Sequence, residues 1–171
     1  DIPIFTFINK LDREARDPFE LLDQLEKEFG IGTYPINWPI GCGVGFKGVY
    51  DREKKSVLAF DEWHAGRKRI SGIACGLEDR EKLNELIGED AANDLVDQVE
   101  LLDAASYEFD MEKVSCGKLS PVFFGSALNN FGVEPFLEAF LKMTSGPLPH
   151  ETKDGVVEPT DEKFSAFGVD Y

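Results

Sequence analysis

The sequence has few of the residues that build disulfide frameworks or metal centres. Its three cysteines, Cys42, Cys75 and Cys116, are widely spaced, and no two of them form a C-x-x-C pair. Its two histidines, His64 and His150, have no further ligand-type residues at the spacing usual in metal sites. We therefore expect no metal site and a reduced protein of the cytoplasm.

Long apolar segments are also missing. No stretch approaches the roughly 18 to 20 apolar residues that cross a bilayer, and no charged-then-apolar leader opens the sequence. We therefore predict a soluble protein without a membrane partner. The sequence has no initiating Met and begins almost directly with an apolar run, so we expect the 171 residues to be a piece of a longer protein.

Positive charge is scarce. There are 18 basic residues against 33 acidic ones, which gives a formal net charge of −15. Such a chain is repelled by phosphate backbones, so we expect no nucleic-acid binding by this piece alone. Residues 78–112 carry thirteen Asp and Glu against two basic residues. This acidic region is either a solvated helical face or a docking surface for a basic protein partner.

Two segments have the pattern of strands in a parallel sheet. Residues 2–8 and 119–124 are nearly continuous apolar runs, typical of strands covered on both faces. A helix is predicted after each run, the first capped by Asp17, with Pro18 at its first position and Gly30 at its end. The residues expected to face inward are Phe19, Leu22, Leu25 and Phe29 in the first helix, and Val133, Phe136, Leu137, Phe140 and Leu141 in the second.

A region of different pattern lies between these segments. Residues 36–40, 46–50 and 56–60 are predicted to be short strands, and residues 51–55 a hairpin loop. An amphipathic helix follows, with an apolar face of Ala91, Leu95, Val99, Leu102 and Ala105 and an outer face of Asp94, Asp97, Glu100 and Asp103. We interpret residues 36–118 as an inserted α+β subdomain, residues 1–35 and 119–145 as the surrounding α/β domain, and residues 146–171 as a linker and the start of a following β domain.

Both predicted parallel strands end in polar segments, N-K-L-D at residues 9–12 and G-S-A-L at residues 125–128. In open α/β sheets, ligands bind beyond the carboxyl ends of the strands, so we predict that the two loops lie side by side there. A carboxylate such as Asp12 can accept the ring N1–H and the exocyclic amine of guanine together. Asn9 has an amide for the N7/O6 edge or for tying the loops together, and Lys10 has a long alkyl stem for the base plane.

The two loops together resemble the base-recognition loops of translational GTPases. Residues 35–41, 46–51 and 121–133 further resemble the bacterial release factor 3 family, and this resemblance spans essentially the whole chain. It implies part of a P-loop GTPase fold with an inserted α+β subdomain. It also implies a parent protein that hydrolyses GTP on the ribosome to release class I release factors after termination.

The resemblance also implies roles for individual residues. Asn9 and Asp12 would contact guanine, Lys10 would pack on the nucleotide, Ser126 would support the Asp12 loop, and the Ala127 N–H would meet O6. Leu128 stands where many GTPases have Lys, so any stacking from that side would be apolar. The candidate residues for binding GTP or GDP are Asn9, Lys10, Asp12, Ser126, Ala127 and Leu128.

The residues that would bind phosphate and catalyse hydrolysis are missing. The sequence has no G-x-x-x-x-G-K-[ST] loop, and nothing in it matches the switch segments that hold Mg²⁺ and the attacking water. We therefore assign no catalytic residue, place the Mg²⁺ ligands in the intact parent, and expect the piece alone to be inactive.

Several other interpretations compete with this one. A fragment of an elongation factor G-like translocation GTPase and an acidic interaction module without nucleotide binding both stay open. The G-x-G-x-x-G pattern at residues 43–48 runs into a predicted strand, which favours a turn over a dinucleotide site. Ser126 lacks the second glycine of a hydrolase elbow, and Trp38 and Trp63 are expected to be packing residues.

Overall fold

The computed structural model describes residues 2–60, 70–144, 146, 149–152 and 155–161. The strands in these residues are β1 (Thr6–Ile8), β2 (Gly32–Pro35), β3 (Asn37–Ile40), β4 (Gly48–Asp51), β5 (Ser56–Phe60), β6 (Ile70–Cys75), β7 (Leu119–Phe124), β8 (His150–Thr152) and β9 (Gly155–Val157). The helices are α1 (Pro18–Phe29), α2 (Arg80–Ile87), α3 (Glu89–Ala105), α4 (Met111–Ser115) and α5 (Val133–Met143), and a short 3-10 helix spans Gly43–Gly45.

A three-stranded parallel sheet in the order β1-β7-β2 forms the α/β part of the chain. Its central strand β7 has the predicted bounds and is buried along its whole length. β1 is shorter than the predicted residues 2–8, and Ile2 and Ile4 are exposed. Pro3 has no N–H to donate to a strand ladder, which is consistent with pairing that starts only at Thr6.

Helix α1 begins and ends where its capping residues predict. The Asp17 carboxylate accepts the backbone N–H groups of Phe19 at 2.8 Å and Glu20 at 3.2 Å. Gly30 ends the helix in the left-handed conformation. Leu22 is buried as predicted, but Phe29, the last helical residue, is 65% exposed. The inward face of α1 therefore stops short of its final turn.

The region between the parallel strands forms a four-stranded antiparallel sheet in the order β3-β4-β5-β6. β5 has the predicted bounds, whereas the strand predicted at 46–50 lies at Gly48–Asp51 because the chain turns through the 3-10 helix first. Strands β2 and β6 and helices α2 and α4 were not predicted. Trp63 and His64 lie outside the described residues.

The two larger sheets share one apolar core. Trp38 on β3 is fully buried, and its ring lies 4.6 Å from that of Phe19 on α1 and 5.5 Å from that of Phe124 on β7. The Trp38 Nε1–H donates to the Gln98 side chain of α3 at 2.8 Å, so the buried indole has a polar partner. The prediction that Trp38 is a packing residue is confirmed.

Helix α5 covers the parallel sheet with only part of its apolar face. Phe136 packs edge-on against Phe7 and Phe123, at centroid distances of 5.3 and 5.0 Å. Leu137 and Leu141, predicted to face inward, are 51% and 75% exposed. The apolar stripe is wider than the sheet surface it meets in this chain, so the prediction of a fully inward face is wrong.

The C-terminal region differs from the predicted linker. The strands β8 and β9 pair as a two-stranded antiparallel sheet within residues 146–171, the region predicted to be a linker and the start of a following β domain. Residues 162–171 of that region lie outside the described residues. None of the helices in the described part of the chain is long and apolar enough to span a membrane.

Leu95→Ala should destabilise the protein by about 2 to 5 kcal/mol, because the side chain is 2% exposed and its removal leaves a cavity under α3. Leu101→Ala is the matched control, since Leu101 lies on the same helix but is 56% exposed, and its cost should stay near 0.5 kcal/mol. Urea unfolding of the chain measures both values. Equal losses would contradict the placement of α3.

Candidate functional site

The two polar loops leave the parallel sheet at the same edge. Ile8, the last residue of β1, is paired with Phe124, the last residue of β7. The backbone contact continues into the loops, because the Gly125 N–H donates to the Ile8 carbonyl at 3.0 Å and the Leu11 N–H donates to the Gly125 carbonyl at 3.2 Å. The prediction that the two loops lie side by side is confirmed.

The loop after β1 is shaped by an outward lysine and an inward leucine. Lys10 is exposed and has a φ of 70°, which is uncommon for a residue other than glycine. Leu11 is 2% exposed and belongs to the core. The Arg13 N–H closes the turn on the Lys10 carbonyl at 3.0 Å. Burial of Leu11 thus offsets the unfavourable backbone of Lys10 and leaves the Lys10 side chain in solvent.

The loop after β7 is a tight turn that only glycine can begin. A Cβ on Gly125 would lie 2.4 Å from the Phe131 carbonyl oxygen and 2.8 Å from the Phe7 ring. Ser126 and Phe131 exchange two backbone hydrogen bonds, at 3.0 and 2.8 Å, which close the turn. The turn therefore exposes Ala127 and Leu128 beside the first loop.

Two hydrogen bonds, each accepted by a side chain of the first loop, join the loops. The Ser126 hydroxyl donates to Asp12 Oδ1 at 2.5 Å. The Ala127 N–H donates to Asn9 Oδ1 at 2.9 Å, and the same oxygen accepts the Lys10 N–H at 2.7 Å. Asn9 therefore ties the loops together, which is one of the two roles considered for it from sequence.

The structure brings all six candidate residues to this sheet edge. Ser126 is fully buried and Asp12 is half-buried, while Asn9, Lys10, Ala127 and Leu128 are exposed. Leu128 is 78% exposed although it is apolar, so its side chain is not part of the core. The Ala127 N–H, expected from the resemblance to meet a purine O6, donates to Asn9 in this arrangement.

One contributor to the site was not predicted. The backbone N–H of Gly43, in the loop between β3 and β4, donates to the carbonyls of Leu11 at 2.9 Å and Arg13 at 3.0 Å. This glycine belongs to the G-x-G-x-x-G pattern, which forms a 3-10 turn leading into a strand, as the turn interpretation expected. A backbone contact of this kind leaves no pattern of side chains by which sequence could identify it.

The three cysteines differ in exposure. Cys42, next to Gly43, is exposed, and so is Cys116, whereas Cys75 is buried. Burial raises the pKa of the Cys75 thiol, with the nearby Asp79 carboxylate adding to the effect. Cys75 is therefore a packing residue and a poor nucleophile.

Ser126→Ala should cost about 1.5 to 3 kcal/mol of stability, because it removes a hydrogen bond to a carboxylate at a buried position. Ser115→Ala is the matched control, since in the described part of the chain the Ser115 hydroxyl bonds to a carbonyl of its own helix at an exposed site, and it should change stability by about 0.5 kcal/mol or less. Thermal and urea unfolding would compare them. A Ser126→Ala loss no larger than that of the control would show that this bond does not hold the loops.

Known proteins similar to this chain include release factors. Peptide chain release factor 3 of Gloeobacter violaceus is 49% identical over 166 residues, which cover 97% of this chain and 31% of the relative. Peptide chain release factor 3 of Symbiobacterium thermophilum is 48% identical with the same coverage, and that of Synechocystis sp. is 46% identical over 97% of this chain and 30% of the relative. The chain thus spans about a third of the length of these curated relatives.

The fold and family are supported by two further comparisons. A crystal structure of a protein from Thermus thermophilus matches 84% of this chain and 22% of its own, with a TM-score of 0.51 and 22% identity, which supports the fold alone. Residues 1–145 match the elongation factor Tu GTP binding domain. Because this match covers most of the chain, the protein belongs to the elongation factor Tu GTP-binding domain family, that is, to the translational GTPases.

Proposed function

We propose that the loops at residues 9–12 and 125–128 recognise the guanine base of GTP or GDP. The observation that carries this proposal is the pair of bonds between them, Ser126 to Asp12 and Ala127 to Asn9, which hold a carboxylate and an amide at one sheet edge. This edge is where open α/β sheets bind ligands. The family match to a GTP-binding domain supports the same assignment.

Asp12 would select the base. An ionised carboxylate is an acceptor only, which matches the two adjacent donors of guanine, and Oδ1 of Asp12 also accepts the Ser126 hydroxyl. Adenine presents a different donor and acceptor pattern along the same edge. Ser126 would fix the carboxylate in place, which lowers the entropy lost on binding.

The opposite edge and the faces of the base would meet the remaining residues. Among the described residues, the hydrogen bonds of the Asn9 side chain use Oδ1, which leaves Nδ2 to donate to the N7 acceptor. The Ala127 N–H would be shared between Asn9 Oδ1 and O6. The exposed Lys10 stem and the exposed Leu128 side chain would cover the two faces of the ring.

For the whole protein, we propose a cytoplasmic GTPase of translation termination that recycles class I release factors from the ribosome. Similarity to peptide chain release factor 3 over 97% of the chain supports this proposal. Those relatives are about three times as long, and the chain contains no P-loop motif, so the phosphate and Mg²⁺ ligands are assigned to residues outside these 171. The chain alone would then provide base recognition without hydrolysis.

The proposed division of labour follows the two sheets. The guanine-recognising part would consist of residues 1–35 and 119–145. The inserted subdomain would be residues 36–118, and residues 146–171 would be a linker and the start of a following β domain. The similar proteins named above favour a release factor over an elongation factor G-like protein.

Both interpretations of the acidic face of α3 stay open. It is either a solvated surface or a docking surface for a basic protein, because an exposed face is expected in both cases. The net charge of −15 supports the absence of free nucleic-acid binding.

Asp12→Asn in the full-length protein should shift preference from guanine towards xanthine nucleotides. The asparagine NH₂ would face the guanine amine, a donor against a donor, but would pair with the carbonyl that xanthine carries there. An unpaired donor costs roughly 1 to 3 kcal/mol, or about 5- to 150-fold in affinity. Competition between GTP and xanthosine triphosphate measures the shift.

Asp17→Asn is the matched control, because Asp17 caps α1 and an asparagine caps a helix equally well. It should leave base preference unchanged. If Asp12→Asn weakened both nucleotides equally, or weakened neither, Asp12 would be a loop-capping residue and the proposed function would fail.

A further inference from the structure

The loop between β3 and β4, residues 41–47, lies against both proposed base-recognition loops although it belongs to the other sheet. On one side, the Gly43 N–H donates to the Leu11 carbonyl at 2.9 Å and to the Arg13 carbonyl at 3.0 Å. These two carbonyls flank Asp12 in the chain. A backbone N–H in the loop between β3 and β4 thus holds the carbonyl groups on both sides of Asp12.

On the other side, the same loop contacts the turn after β7. The ring of Phe46 meets that of Phe131 edge-on at a centroid distance of 5.1 Å, and both residues are buried. Phe131 is the residue that closes the Ser126 turn through two backbone hydrogen bonds. Phe46 therefore supports the second loop as Gly43 supports the first.

A third contact lies where β7 ends. The buried side chain of Asn37 on β3 pairs with the backbone of Phe124, accepting its N–H at 2.7 Å and donating to its carbonyl at 3.0 Å. Phe124 is the last residue before Gly125. The Asn37 amide thus pairs with the Phe124 backbone as a neighbouring strand would, directly before the second loop begins.

We propose that Gly43, Phe46 and Asn37 are positioning residues for the guanine site, so that the four-stranded sheet sets the affinity and release rate of the nucleotide. They act on the site through the two loops. The inference rests on the proposed base-recognition function. It adds that Gly43, Phe46 and Asn37 connect the four-stranded sheet to the two base-recognition loops.

A substitution at Gly43 tests the contact between the β3–β4 loop and the Asp12 loop most directly. Gly43 has a φ of 60°, and a Cβ there would lie 3.3 Å from the Glu14 nitrogen and 3.5 Å from the Arg13 carbonyl carbon. Alanine would strain this turn and press on the backbone next to Asp12. Its effect should therefore reach the guanine loop directly.

Two other glycines provide control variants. They separate the effect of the close contact at position 43 from the effects of backbone strain and of a change in the same loop. Gly30 has a φ of 67°, but a Cβ at this position would have no described atom within 4 Å, so Gly30→Ala adds similar backbone strain without the contact. Gly45 lies in the same loop as Gly43, would likewise place its Cβ more than 4 Å from the described atoms, and does not have a positive φ. Gly45→Ala therefore alters the loop without strain or contact.

The experiment follows release of a fluorescent GDP analogue from the full-length protein and its three alanine variants, with melting temperatures measured in parallel. Gly43→Ala should release nucleotide about five- to tenfold faster than wild type, at the lower end of the range that coupled sites show. Gly45→Ala and Gly30→Ala should release at the wild-type rate, although the backbone strain of Gly30→Ala should lower its melting temperature below that of wild type.

Different results would contradict the positioning role of Gly43 and the proposed guanine recognition. Failure of the wild-type protein to bind the GDP analogue would overturn the proposed function together with the inference. Normal binding with equal release rates in all variants would overturn the inference alone and reduce Gly43 to a structural residue. Should Gly43→Ala fail to fold, Phe46→Leu replaces it, since loss of the ring contact to Phe131 should also speed release, and an unchanged rate would overturn the inference.

Discussion

The arrangement of the site depends on one pairing, that of β1 with β7. Because the strands are parallel and Ile8 is opposite Phe124, both loops emerge at the same edge within hydrogen-bonding distance. A slip of one residue would turn every side chain of β1 to the other face of the sheet. The hydrogen bonds from Ser126 and Ala127 to the first loop require this register.

Much of the α/β part could be predicted because its signals are local. The bounds of β7 follow from a continuous apolar run, and those of α1 from Asp17, Pro18 and Gly30, residues that act within one turn of the helix end. β2 escaped prediction because its four residues, Gly-Thr-Tyr-Pro, contain no apolar run. It forms since β7 offers a buried edge with which it can pair, and that partner lies far away in sequence.

The site was predictable in its residue types but not in its connections. Two apolar runs, each followed by a polar segment, located the two loops, because the carboxyl ends of parallel strands lie at the same edge of a sheet. The choice of individual residues in these loops rested on the resemblance to translational GTPases. The tie from Asn9 to the Ala127 backbone and the support from Gly43 could not be found this way. Both contacts are donated by backbone N–H groups, which every residue other than proline carries. Composition and periodicity therefore cannot reveal these contacts.

The central claim is that two loops held together at one sheet edge form a guanine-selective site. Titration of the ¹⁵N-labelled chain with GDP and with ADP, followed by NMR, tests it most directly, because amide shifts report even weak binding residue by residue. The account predicts that GDP shifts the amide signals of Lys10, Asp12, Ala127 and Leu128, and that ADP at the same concentration leaves them in place. Equal shifts with both nucleotides, or GDP-induced shifts confined to other parts of the chain, would contradict it.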